Sequence, residues 1–307
     1  MAMRLSFRQM QAFVATARMR SFSRAAKEMG ISQPALSKAV SDLEADVGYA
    51  LFDRTTRRVS LTSAGRQFLP SAERVINAYG SAREDLESLA KGRGGRVAIA
   101  CLPSVAFGFM PRVLAAFAAD YPDIIVDLVE QRADQVADSV RSGEVDIGIA
   151  NMVGEPHKLE TTPLLGDRFA LVCPATHALA AKKAIRWREL ENVPIIAMTP
   201  DSGIWQEIET ALYGNGQRLS IRYVAANPAT ILALAAAGVG VSPLPGLAWP
   251  PSDDPRLVCR PLIGPSIHRR LLVQRRSDEP MGPAVRLLMP YISAARRQSP
   301  KAYQGPA

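Results

Sequence analysis

Cysteine and histidine are both scarce, at three each in 307 residues. Cys101, Cys173 and Cys259 are far apart, odd in number and form no Cys-x-x-Cys pair. That excludes a disulfide framework and fits reduced thiols. His157, His177 and His268 stand alone, so no structural metal is expected. Long apolar runs are missing as well. None has the length of a signal peptide or a membrane span, which predicts a cytoplasmic protein with no membrane partner. Catalytic signatures are absent too: no Gly-x-Ser-x-Gly elbow, no Gly-x-x-x-x-Gly-Lys-Ser/Thr loop, no His-Glu-x-x-His. Gly238-Val239-Gly240 precedes a strand instead of joining strand to helix, so it is a poor dinucleotide signal. Neither an enzyme nor a cofactor is expected.

What is present is a sizeable apolar fraction, 48%, and a lopsided charge. Residues 1–66 hold eleven Lys and Arg against five Asp and Glu, so +6 of the net +8 lies in that short segment. A basic module on a nearly neutral body fits a polyanion met at one end.

That module centres on Phe22 to Thr62. Ser23 to Met29 predicts a short helix, and Gly30 breaks it with a turn that glycine takes without strain. Ser32 caps a second helix, with Pro34 in its first turn, where a missing N–H is harmless. Ala25, Ala26, Met29, Ile31, Leu36, Val40 and Leu43 fall at helical spacing and close one small core. Gln33, Ser37, Lys38 and Ser41 point outward. Such a pair is a helix-turn-helix with base-reading side chains on its free face. The basic hairpin Arg54-Thr55-Thr56-Arg57-Arg58 follows as a wing for phosphates. A helix from Phe7 to Met19 backs the pair.

The chain resembles the LysR-type transcriptional regulators over nearly its whole length. The resemblance is carried by Ser23-Arg24-Ala25-Ala26, Ser32-Gln33-Pro34-Ala35-Leu36-Ser37, Leu43-Glu44, Gly48, Leu51-Phe52-Asp53-Arg54 and Leu61-Thr62-Ser63-Ala64-Gly65. At Ser41 it departs, since the family often has a basic residue there. The resemblance implies three parts: an all-α winged helix-turn-helix, a long dimerisation helix, and a two-lobed α/β domain like a periplasmic binding protein that senses an effector. It also implies a tetramer beyond the dimer, and RNA polymerase as a partner.

The expected domains are residues 1–62, a linker helix over 63–91, a hinge at 92–95 and an effector domain over 96–307. In the linker helix Phe68, Ala72, Val75, Tyr79, Ala82, Leu86 and Leu89 alternate steps of four and three. This heptad seam predicts pairing with the same helix of a second chain, or packing on its own C-terminal domain. Pro70 should kink or loosen its start. Lys91-Gly92-Arg93-Gly94-Gly95 reads as a linker. Beyond it, strands at 96–100, 124–129 and 146–150 alternate with helices at 104–119 and 133–141, which implies a parallel sheet. A second set follows, with strands at 169–173, 194–198, 221–224 and 239–244 and helices at 203–213 and 228–237. A strand at 269–274 and a helix at 283–297 return to the first lobe. Lobe 1 is thus about 96–166 and 267–307, and lobe 2 about 167–266. The tail beyond 298 should be frayed.

Ligands in such sheets sit at the carboxyl ends of strands, beside helix N-termini that suit anions. The candidates are Cys101, Pro103, Ser104 and Phe107; Gln131 and Arg132; Thr199, Ser202, Gly203 and Trp205; Asn227 and Thr230. Together they predict a small organic acid, or merely a set of helix caps. On the DNA side Gln33, Ser37 and Lys38 are expected at base edges. Ser23, Arg24, Arg54, Arg57 and Arg58 are expected at phosphates, with Arg54 or Arg58 entering a minor groove, and Ser32, Pro34 and Ser41 beside them. A two-fold axis predicts inverted-repeat sites in double-stranded DNA. A transporter's solute-binding protein and an enzyme with a DNA-binding head are the rival readings.

Overall fold

The computed structural model describes residues 5–55, 58–90, 95–200, 202–213 and 218–298. They divide into a helical N-terminal unit, which also takes in residues 141–144, and a larger α/β unit.

The first unit runs α1 (Phe7–Met19), α2 (Phe22–Glu28), α3 (Gln33–Val47), β1 (Phe52–Thr55), β2 (Arg58–Leu61) and α4 (Ser63–Ala90). Each of the first three helices begins at a serine whose hydroxyl accepts a first-turn N–H: Ser6 from Gln9, Ser21 from Arg24 and Ser32 from Ala35. These caps satisfy donors that the helix itself leaves unpaired. Gly30, at φ +64°, makes the turn between α2 and α3. Ala25, Ala26, Leu36, Val40 and Leu43 are buried, with Met29 and Ile31 partly so, as the spacing predicts. Phe13 centres this core, its ring 5.4 Å from Phe52 and 5.3 Å from Phe68. The Glu44 carboxylate accepts the N–H groups of Leu51 and Phe52 at 2.8 and 3.1 Å, which ties the wing to α3.

Helix α4 continues through Pro70. Its predicted seam is divided. Phe68 and Ala72 pack into the chain's own core, because α4 lies along α1. Val75, Tyr79 and Ala82 remain exposed. The side chains of Leu86 and Leu89 lie outside the described residues, as do Lys91 to Gly94 of the predicted linker and the tail from Ser299.

The second unit runs β3 (Arg96–Cys101), α5 (Pro103–Gly108), α6 (Met110–Asp120), β4 (Ile125–Glu130), α7 (Ala133–Ser142), β5 (Ile147–Ala150), β6 (Leu159–Pro174), β7 (Ile185–Arg186), β8 (Ile195–Met198), α8 (Gly203–Tyr213), β9 (Ile221–Ala225), α9 (Pro228–Ala236), β10 (Ser242–Pro245), β11 (Leu257–Ile263), β12 (His268–Arg276) and α10 (Pro283–Gln298). Strands β4, β3 and β5 are parallel, the expected crossover arrangement. Strand order continues through β12, β6, β11 and β7. The 16-residue β6 is the backbone of the unit. Its first part pairs with β12, and its second part pairs with β10 and β11. One apolar core lies on each side of this passage.

Several elements differ from the sequence reading. The single helix expected over 104–119 is two, broken at the buried Phe109. Gly108 lets the backbone at that break approach the Leu247 carbonyl, which a Cβ would meet at 2.0 Å. The first part of β6, Leu-Glu-Thr-Thr-Pro, and all of β7 and β11 have no counterpart in the sequence pattern; they carry polar residues and prolines without alternation. The strand expected from Val239 begins at Ser242. No described helix is long and apolar enough to cross a membrane, and no described group of His, Cys, Asp and Glu could hold a metal.

Candidate functional site

In the first unit the outward row of α3 is intact. Gln33, Lys38 and Ser41 are exposed, and Ser37 is half-buried. Gln33 is held in place: the Ser23 hydroxyl donates to its Oε1 at 2.8 Å, across the turn between α2 and α3. With Oε1 so engaged, the outward donors of Gln33 are its amide hydrogens. Arg24 donates to the Met19 carbonyl at 2.7 Å while its side chain stays exposed. Lys38 pairs with Asp42 one turn on, at 3.2 Å, a weak and exposed contact. Ser32 is engaged as the α3 cap, and Pro34 sits exposed in the first turn. Arg54 and Arg58 occupy facing strands of the wing, while Thr56 and Arg57 lie outside the described residues.

The second unit holds a cavity of about 220 Å³ where strands end and helices begin. One wall is Leu102, Pro103 and Ser104 at the start of α5, with Glu130 at the end of β4 and Gln131 and Arg132 after it. The facing wall is Met198, Thr199, Ser202, Gly203 and Ile204, leading into α8. Gln135, Asn151, Ala226 and Arg269 complete it. Seven predicted residues therefore line one space: Pro103, Ser104, Gln131, Arg132, Thr199, Ser202 and Gly203. Cys101, Phe107, Trp205, Asn227 and Thr230 are not among its described lining residues. Asn227 caps α9 instead, accepting from the Ala229 N–H at 2.8 Å. Trp205 is buried and faces a different hollow beside α8 and β9.

Ser104 is not the helix cap that its sequence suggests. Leu102 holds that position, and Ser104 is buried. Its hydroxyl accepts from Arg269 Nη2 at 2.7 Å. Arg269 is itself buried and donates to Asp167 Oδ2 through Nε at 3.0 Å and Nη2 at 2.6 Å. Asp167, fully buried, also accepts the Leu247 N–H at 3.3 Å. Arg132 is turned toward Asp134, with contacts at 3.2 and 2.9 Å. The hydrogen bond from Arg132 holds the Asp134 carboxyl below its usual range.

The family described as "Bacterial regulatory helix-turn-helix protein, lysR family" matches residues 7–66. The "LysR substrate binding domain" matches residues 90–297. The chain belongs to the LysR family of regulators. Among its relatives is the uncharacterized HTH-type transcriptional regulator YbhD of Escherichia coli K12, 36% identical over 90% of this chain and 87% of that protein. The Hca operon transcriptional activator HcaR of the same organism is 30% identical over 92% of this chain and 95% of its own. The solved complex of full-length CbnR with its target DNA shares the fold, with a TM-score of 0.64 at 22% identity, covering 95% of this chain and all of that one. This LysR-type chain is accordingly a DNA-binding transcriptional regulator and not an enzyme.

For a LysR-type regulator the sequence missed one important residue, Arg269. It comes from β12, far along the chain, and reaches the cavity only because β12 pairs with β6, placing Arg269 opposite Asp167. No local signal marks it. The thiols are held in their protonated form. Burial, with help from the Glu130 carboxylate, pushes Cys101 up to about 12. Burial likewise raises Cys173, and it raises Cys259 to about 12. A reactive cysteine needs its thiolate, which burial suppresses here.

Proposed function

We propose that this regulator senses a small organic acid carrying a single carboxylate, and that it binds inverted-repeat DNA as a dimer. The observation that carries the effector reading is the convergence on one cavity of the α8 N-terminus, the Ser104 hydroxyl and Arg269. The first-turn N–H groups of Gly203 and Ile204 have no acceptor within the helix, and the α8 dipole adds positive potential there. Thr199 and Ser202 bring hydroxyls to the same edge. Glu130 on the opposite wall opposes a second negative charge on the ligand. At roughly 30 Å³ per water, the cavity has room for about seven waters, hence a compact acid.

The DNA reading rests on the outward row of α3 beside a wing that carries Arg54, Arg57 and Arg58. Gln33, Ser37 and Lys38 meet base edges; Ser23, Arg24 and the wing arginines meet phosphates. Val75 and Tyr79, exposed on α4, supply the dimer contact. A thermal-shift screen of matched mono- and dicarboxylates on the full chain tests the effector. Stabilisation by monocarboxylates is the expected result. Neutral analogues that stabilise while acids do not would remove the reading.

A further inference from the structure

The buried Arg269–Asp167 pair of the effector unit has a second acid near it. Asp167 takes two of the arginine's donor contacts. The second acid is Glu207, one turn into α8, whose Oε2 is buried and has no hydrogen-bond partner among the described residues. Arg269 and Asp167 are the charged groups that act on it. Of the elements around the cluster, β8 (Ile195–Met198), α5 (Pro103–Gly108) and β10 (Ser242–Pro245) contain no ionisable carboxylate, imidazole or amine, while Glu130 and Arg132 line the same cavity as Arg269. One buried guanidinium therefore stands near two carboxyls, Asp167 fully buried and Glu207 half-buried with one oxygen shut off from solvent.

We propose that Glu207 is a proton-sensing group of the effector unit: one proton there switches the cluster around Arg269 between net neutral and net negative. Asp167 already accepts hydrogen bonds from Arg269 and from the Leu247 N–H. Glu207 lacks such donors on its buried oxygen. Burial above all raises its carboxyl from about 4.5 to about 7, with Arg269 pulling it down and Asp167 pushing it up. Ser104 joins the same arginine to the cavity wall, so the charge of the cluster is felt where the ligand sits. In the organic-acid reading, a neutral cluster admits the anion and a negative one resists it. That consequence rests on the proposed function; the proton switch itself does not.

The sign follows from the raised value. The folded state binds its proton more tightly than the unfolded chain does. Its stabilising effect is full below about 4.5 and is lost as pH rises through about 7. The test is urea unfolding of the full chain from pH 5 to pH 9, without effector, for the natural protein and Glu207→Gln. Glutamine keeps the shape and cannot ionise. The variant's unfolding constant, relative to the natural one, should fall roughly ten- to hundredfold across that range, with the midpoint near neutrality. A difference that is the same at every pH would mean a purely structural role and would overturn the proposal. So would no difference at all. Asp167→Asn gives an independent check, since removing the like charge should move the midpoint to lower pH. An unmoved midpoint in a folded Asp167→Asn protein would also count against it. Because no ligand is used, failure here is distinct from failure of the acid screen.

Discussion

On the proposed DNA-reading face a single hydroxyl orients Gln33. Ser23 fixes Gln33 through one bond, so Ser23→Ala should loosen Gln33 without removing it. Gel shifts against operator and scrambled DNA should show Gln33→Ala losing about 1–3 kcal/mol of discrimination. Ser23→Ala should lose about 1 kcal/mol or less, the net worth of one hydrogen bond. An unchanged site preference in Gln33→Ala would displace it from the reading role. Arg269 is the corresponding residue in the effector unit. Arg269→Met leaves Asp167 buried without its partner and should destabilise by about 3–5 kcal/mol in urea unfolding. Ser104→Ala removes only one contact of that arginine, so about 1–2 kcal/mol is expected. These residues differ in legibility. Gln33 and Ser23 are readable because their contact lies within one local motif. Arg269 is unreadable because its partners stand 102 and 165 positions away.

Among the elements, α5 and α4 carry the sharpest expectations. The break after α5 exists because Gly108 lies against the Leu247 carbonyl. In Gly108→Ala the new methyl meets the Leu247 backbone, and overpacking of this kind costs about 1–3 kcal/mol or more. A melting temperature lowered by several degrees is expected, and an unchanged one would show that the contact can relax. Helix α4 divides its seam: Phe68 and Ala72 close the head, Val75 is exposed, and Tyr79, also exposed, rests its ring 4.4 Å from that of Phe7 in α1. In the proposed dimer, Val75→Glu should therefore weaken association in analytical ultracentrifugation, with the head still folded. Ala72→Glu should unfold the head instead. The heptad pattern shows that α4 is apolar along one side. It does not show whose side chains cover each step, since a residue at four-residue spacing packs equally well on α1 or on a second chain.

At the scale of the molecule, function depends on two charge environments of different kinds. The head carries +6 of the net +8, and its DNA affinity should fall steeply with salt. Six phosphate contacts would give a slope of about −5 in log affinity against log salt. Removing Arg54 should flatten that slope by about one contact at every sequence alike, as gel shifts in rising salt would read. The effector unit is nearly neutral by comparison, and its important charges are buried and poorly screened. Salt should hardly change Glu207 titration while it changes DNA binding strongly.

The sequence by itself determined the local parts: the capped helices, the turn at Gly30, the small core under α3 and the alternating strands of the first lobe. Each depends on neighbours a few residues apart, and spacing records such neighbours directly. Tertiary structure alone decided the rest. It extended β6 through both lobes, joined β12 to it, and so brought Arg269, Asp167, Ser104 and Glu207 to one place. Pairing between distant strands leaves no periodic trace in either one, and the burial that shifts a carboxyl's proton affinity exists only once those strands have met.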